Sequence, residues 1–337
     1  MAMTRFQKLA TSALVSVLCL MFVGAIVRVS GSGMGCPDWP TCWGCLIPPT
    51  KIEQVDFTKL PIEKFQHKAE RMGRDPKTIT VDSLRNEFNP RHVWIEFFNR
   101  MTSLPVGFFS LATFIAAFWQ REKQPLVFWM AFAALITVLT NGWVGATVVY
   151  SGLKSVVLTT HLALAMSTIG MLAYCAWRGT DTPWQVVVPD SVRPKLRCVV
   201  GLLMVVVVAE GILGSQVREM TDELRAHATT SRGSWAASLE NSWIYLIHRS
   251  FSWAVLGAAC WAWLLTKQGG RPGIVERFVL GIVLTQMVLG LVMARGHIYS
   301  WVQVLHVGLA ALLLAFVWLW LFGLSPAREP KNWSADL

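Results

Sequence analysis

Charge is scarce in this chain. Only 15% of its 337 residues are charged, against 54% hydrophobic, and the mean hydropathy is +0.47. That balance excludes an ordinary soluble globule, in which about a quarter of residues are charged. Acidic residues are the scarcer sign, 20 against 30 Lys and Arg, which leaves a net charge of +10. A cleavable leader is not expected. Arg5 and Lys8 precede an apolar stretch from Leu9 to Val27, longer than the roughly 7–15 residues of a signal-peptide core and with no small-x-small site after it. The stretch reads as a first membrane helix. No Arg- and Ser-rich transit sequence precedes it, so a bacterial inner (cytoplasmic) membrane is expected rather than an organelle.

What is there is apolar length. Charge-poor stretches near the roughly 17–25 residues that cross a bilayer run over about 8–28, 97–119, 125–149, 155–177, 198–217, 243–266, 274–294 and 300–323, the fifth interrupted by Glu210. Trp94, Trp119, Trp177, Trp243 and Trp301 fall near their ends, as interfacial aromatic belts do. Lys and Arg concentrate in alternate connections: Arg5, Lys8, Arg121, Lys123, Arg178, Arg193, Lys195, Arg197, Lys267, Arg271, Arg277, Arg328 and Lys331 on one side. The short connections of the other side hold chiefly Lys154, Arg218, Arg225, Arg232 and Arg295. The long segment 30–93 escapes the rule because long loops translocate regardless of charge. The expected fold is an all-α integral membrane protein of eight transmembrane helices with both termini cytoplasmic. The positive charge is then topology, and no nucleic-acid partner is expected.

The chain repeats itself. Trp94-Ile-Glu-Phe-Phe-Asn99-Arg100 reappears as Trp243-Ile-Tyr-Leu-Ile-His248-Arg249, and Gly24-Ala-Ile-Val-Arg28 as Gly214-Ser-Gln-Val-Arg218. Gly145 and His161 match Gly290 and His306. The expected organisation is two pseudo-symmetric four-helix bundles, residues 1–180 and 181–337, related as parallel repeats, with the extended outer loop 30–93 in the first. That loop opens with the turn-rich Ser30-Gly-Ser-Gly-Met-Gly-Cys36-Pro-Asp-Trp-Pro-Thr-Cys42-Trp-Gly-Cys45, and a short helix is expected over 60–72. Asn89-Pro90 and Asn241 signal helix starts.

Ionisable side chains inside a bilayer cost about 3 kcal/mol or more unless a partner or a function retains them. His161 lies seven residues past Lys154, about 10 Å along a helix. His248 and His306 sit at comparable height, as bis-imidazole ligation of a haem iron requires. Recurrence in both halves favours iron ligation for His161, His248 and His306 over hydrogen bonds to neighbouring helices. His67, His92, His227 and His297 default to solvated loops. Arg28, Arg218, Arg100 and Arg249 recur beside these positions. Guanidinium suits bidentate pairing with haem propionates, and snorkelling to the interface is the alternative.

Glu96 shares a helical face with Asn99 and is replaced by Tyr245 in the repeat. It reads either as an acid facing a reacting species in one half only, or as the ion-pair partner of Arg100. Glu210 matches Leu20 and has no evident role. Cys36 and Cys42 frame a loop on the oxidising side, where disulfides persist, with Cys45 as a third candidate. Zinc lacks an evident fourth ligand there. Cys19, Cys175, Cys198 and Cys260 read as packing residues.

Together these residues resemble the haem A synthase family, which oxidises a methyl group of haem O to the formyl group of haem A for terminal oxidases. The resemblance rests on Gly24 to Gly33, on Cys-Pro-Asp-Trp-Pro-Thr-Cys-Trp-Gly, on Trp-Ile-Glu-Phe-Phe-Asn-Arg, on Leu-Ile-His248-Arg249, and on His161 and His306. It implies that the C-terminal half holds haem b through His248 and His306, and that the N-terminal half receives haem O beside His161 and Asn99. It also places Glu96 at the family's catalytic glutamate and Cys36 with Cys42 at its outer-loop cysteine pair. Two departures stand out. The family usually has histidine where this chain has Asn99, and the outer loop at 219–241 carries no cysteine pair. Expected partners are haem O, a haem O synthase, an electron donor and membrane lipid, with a homo-oligomer left open. The alternatives are a membrane diheme electron-transfer protein and a thiol oxidoreductase or haem-delivery protein using Cys36 and Cys42.

Overall fold

A computed structural model describes residues 3–58, 60, 62–71, 75–226, 232–295 and 299–325, side chains excepted at 64, 68, 71, 225, 226 and 232–235. Among these residues the protein is all-helical. Its α-helices are α1 (Arg5–Val29), α2 (Ile62–Arg71), α3 (Val81–Glu87), α4 (Pro90–Ala117), α5 (Pro125–Tyr150), α6 (Ser155–Arg178), α7 (Arg193–Ala226), α8 (Arg232–Glu240), α9 (Trp243–Lys267), α10 (Ile274–Arg295) and α11 (Ser300–Gly323). The expectations for His227, His297, Arg328 and Lys331, and for the side chains of Arg225 and Arg232, lie outside the described residues.

Among the described residues seven helices are long and apolar enough to cross a membrane: α1, α4, α5, α6, α7, α10 and α11. That is one fewer than expected. The eighth candidate, α9, has 25 residues, but it carries His248, Arg249 and four tryptophans, whose hydropathy is low. The bundle's exterior is apolar, with Phe108, Trp129, Leu139, Trp253 and Val288 all exposed, as a bilayer rather than water requires.

Local chemistry sets the ends. Thr4 caps α1 by accepting from the Gln7 N–H, and the Gln7 side chain returns to the Thr4 N–H, a reciprocal box that satisfies two orphan donors. Asn89 caps α4 through the N–H groups of Arg91 and His92, with Pro90 as first residue. The helix therefore starts seven residues earlier than hydropathy alone suggests, and Glu96 lies inside it. The cap of α9 is Ser242 rather than Asn241. Helix α7 runs well past the expected 198–217, because its polar end is held by an ion pair between Arg218 and Asp222 at i,i+4. Gly152 and Leu153, with φ of 69° and 65°, make the tight left-handed turn between α5 and α6; the leucine there bears steric strain that the glycine does not.

Helix α1 packs on α4 and α6, and α5 on the same two; α7 packs on α9 and α11, and α10 on the same two. Helices α1, α6, α7 and α11 meet in the middle. There Leu14, Ile169, Leu172, Leu196, Leu203, Leu314 and Trp320 form the main core. Gly170 and Gly308 let Trp318 and Phe22 lie where a Cβ would stand. Such small residues supply the close packing that holds helices together in lipid, where the hydrophobic effect does not. The segment between α1 and α4 has a core of its own, built from Cys36, Cys42, Trp43, Val55, Leu60, Phe65, Ile79, Leu84 and Val93.

Candidate functional site

Helix α4 holds a buried ion pair: Oε1 of Glu96 accepts from Nη2 of Arg100 at 2.6 Å. Both terminal nitrogens of Arg100 are engaged further. Nη1 donates to the carbonyls of Asp38 (2.9 Å) and Thr41 (2.8 Å), and Nη2 also reaches the Cys36 carbonyl at 3.2 Å. The second oxygen of Glu96 accepts from the Cys36 N–H at 2.7 Å. The pair therefore clamps one loop by its backbone, with a charge at each contact. Arg100, expected at a propionate, is committed to this loop instead.

The loop is closed by a disulfide between Cys36 and Cys42, and Cys45 remains a free thiol. Asp38 folds its interior, accepting from the N–H groups of Trp43 (2.6 Å) and Gly44 (3.0 Å) and from the Thr41 hydroxyl. The Trp43 indole donates to the Gly35 carbonyl, and the Tyr150 hydroxyl to the Trp39 carbonyl. Gly35 lies against the backbone of His92 and Val93, where a Cβ would overlap the His92 carbonyl. Both bridged cysteines are buried, at 0% and 1% exposure. Thiol exchange needs an attacking thiolate to reach a sulfur, and here neither sulfur is open to solvent. No group of three or more His, Cys, Asp or Glu among the described residues is placed to hold a bare metal ion.

Asn99 and His161 lie within the first three turns of α4 and α6. Asn99 faces α1, its Oδ1 lying 3.8 Å from the position of a Cβ on Gly24; the oxygen is buried and has no hydrogen-bond partner. His161 faces Gly145 of α5 at 3.3 Å by the same measure and also meets the Asn141 backbone of α5; its Nδ1 is buried. In the second half His248 rests on Gly214 of α7 at 3.2 Å, as Asn99 rests on Gly24. Gly290, matched in sequence to Gly145, has no such neighbour.

His248 and His306 face each other from α9 and α11. Their ring centroids are 6.5 Å apart and the planes are nearly perpendicular, at 83°. Two imidazoles on opposite sides of one metal ion need about 2 Å for each metal–nitrogen bond and roughly 1 Å more to each ring centre, about 6 Å in all. The observed spacing meets that requirement. The Nδ1 atoms of both rings are buried without an aligned hydrogen bond. Around them, Gln286 of α10 donates to the His306 carbonyl at 2.7 Å, and Oε2 of Glu210 lies 3.2 Å from His248 Nδ1. This pair fits a bis-imidazole haem.

The remaining arginines differ from one another. Arg28 of α1 and Arg218 of α7 converge on Asp222, at 3.7 and 2.8 Å. Arg218 also donates to the Gln303 side chain of α11 and to the Arg28 carbonyl. Arg249 is exposed. The sequence reading gave no role to Asp38, Asp222 or Gln303. Asp222 stood four residues past Arg218, and Asp38 three to six residues before Thr41, Trp43 and Gly44, which were usable signals; the contact of Gln303 with Arg218 joins distant segments and left none.

A family model described as a cytochrome oxidase assembly protein (COX15-CtaA) matches residues 7–318. Among curated relatives, the heme A synthase of Sphingopyxis alaskensis is 25% identical over 317 residues, covering 89% of this chain and 86% of the relative. The heme A synthase of Agrobacterium fabrum is 26% identical over 339 residues, covering 90% and 86%. That of Shewanella oneidensis is 24% identical over 329 residues, covering 89% and 91%. With the matched region running through every helix from α1 to α11, the chain belongs to the COX15-CtaA family of cytochrome oxidase assembly proteins.

Proposed function

We propose that this protein is a haem A synthase, a membrane oxidoreductase that converts the methyl group of haem O to the formyl group of haem A in the inner membrane of a bacterium. The observation that carries a haem-dependent function is the opposed pair His248 and His306, buried and spaced for one iron. Family membership and the names of the relatives carry the reaction. In this reading α9 is the eighth span, both termini are cytoplasmic, and the halves are residues 1–180 and 181–337. The support for two halves is that neighbour relations recur: α1, α4, α5 and α6 pack as α7, α9, α10 and α11 do.

The C-terminal half holds haem b through His248 and His306, and the N-terminal half receives haem O, with His161 as the iron ligand and Asn99 beside it. When bound, haem b supplies one-electron transfer. The methyl carbon is oxidised in two two-electron steps, to a hydroxymethyl and then to a hydrated aldehyde that loses water, and each step takes its oxygen atom and its oxidant from outside the chain. Glu96 holds or moves a proton beside the reacting carbon. Its oxygens accept from Arg100 and Cys36. The clamp keeps that carboxylate in one place, which is worth more to proton transfer than a mobile acid of the same acidity. Arg28, Arg218 and Arg249 are the proposed propionate partners. Haem O synthase and an electron donor are the proposed protein partners.

The deciding experiment is pigment extraction from cells that make haem O, with and without this protein. Haem A appears only with it if the reading holds. If haem A is absent from cells in which the protein is present and carries haem, the diheme electron-transfer alternative takes its place.

A further inference from the structure

Glu210 is a carboxylate inside α7, at a depth where an ionisable group needs a partner. The position aligned with it in the first span is Leu20, so the acid belongs to one half only. Its Oε2 is buried and lies 3.2 Å from the equally buried Nδ1 of His248, within ion-pair reach but not aligned as a hydrogen bond, and neither atom has a hydrogen-bond partner elsewhere. Gly214, four residues on and hence on the same face of α7, underlies the same imidazole. Helix α7 thus meets His248 twice, by a carboxylate at Nδ1 and by a bare backbone under the ring.

We infer that Glu210 is a positioning residue for the haem ligand His248, an inference that rests on the ligand assignment above. Aligned with the ring, it accepts a hydrogen bond from Nδ1–H and fixes the tautomer that leaves Nε2 for iron. It also strengthens the imidazole as a donor, which favours ferric over ferrous iron and lowers the potential of that haem. Among the described residues neither His306 nor His161 has a carboxylate within ion-pair reach, and His161 meets the Asn141 backbone instead. Only one axial ligand of one haem is tuned in this way, so the two haem sites are unequal by construction.

The test uses the purified full-length protein with its bound haem. Wild type, Glu210→Gln and Glu210→Leu are compared for haem content, for the electron paramagnetic resonance spectrum of the oxidised low-spin haem, and for midpoint potential by redox titration. Both variants are expected to titrate at higher potential with shifted g-values. The leucine variant should shift further, since the amide oxygen of glutamine still accepts the N–H. Potential and spectrum unchanged from wild type in Glu210→Gln overturn the inference, and that variant alone decides if leucine prevents folding. Should Glu210→Gln lose haem, Glu210→Asp must recover it; failure to do so assigns Glu210 to packing and overturns the inference equally. The ligand assignment is checked separately with His248→Ala and His306→Ala. A low-spin spectrum that survives in both rejects the ligand assignment itself, whatever Glu210 does.

Discussion

At the scale of single residues, most of the chemistry divides between two carboxylates that the repeat does not duplicate. Glu96 belongs to the half assigned to substrate and Glu210 to the half assigned to haem b. Replacing Glu96 with Ala removes the proton-handling group and one side of the loop clamp, and haem A formation should fall by about 100-fold or more. Haem b should stay bound. Chromatography of extracted haems reads the first effect and the visible spectrum the second; wild-type haem A in the mutant would return Glu96 to a purely structural pair with Arg100. Asn99 offers a sharper test. An amide oxygen is a far weaker iron ligand than imidazole, so haem O bound beside Asn99 and His161 is expected to be high-spin. Asn99→His should move it towards low-spin. A bis-imidazole signal at the substrate site of the unmodified protein would mean that another histidine reaches the iron.

At the scale of elements, α4 and the loop 36–42 form one unit. The disulfide closes a very short ring, for which chain entropy gives about 2 kcal/mol. The contacts of Arg100 and Glu96 then tie that ring to the membrane helix. Cys36→Ser with Cys42→Ser should lower the thermal midpoint of the purified protein and reduce, but not abolish, haem A formation. Complete loss of activity with unchanged stability would instead assign the cysteines to redox chemistry. Little of this unit was legible in the sequence. Asn89-Pro90 announced the start of α4 because a cap and a first-turn proline act on adjacent residues. The contacts from Arg100 to the carbonyls of Cys36, Asp38 and Thr41 use backbone groups that every residue possesses, across some sixty positions, and no side-chain pattern records them. For the same reason Arg100 read as a propionate partner: a guanidinium near a histidine looks alike in both roles until its acceptors are seen.

At the scale of the whole molecule, hydropathy located the spans because lipid imposes length and apolarity locally. It did not locate the meeting of α1 and α7, where Arg28 and Arg218, equivalent in the sequence repeat, share the carboxylate of Asp222. The proposed orientation can be checked with single cysteines in a background cleared of exposed thiols. In intact cells a membrane-impermeant maleimide should label Lys51→Cys in the outer segment and spare Glu122→Cys in the connection between α4 and α5. The reverse pattern inverts the topology.

The ligand-bearing helix α9 has a cost at birth. His248, Arg249 and its four tryptophans keep it below the hydropathy that the seven other long helices reach. An insertion machinery that samples each segment against lipid charges about 2.5–3.5 kcal/mol for an arginine at mid-bilayer, less nearer the interface. As a span, α9 therefore enters the membrane poorly on its own and depends on the helices it packs against, α7 before it and α10 after it. The segment that carries the proposed iron ligand His248 is thus the one whose integration waits on its neighbours. Biogenesis of this half is accordingly a cooperative event rather than a sequence of independent insertions.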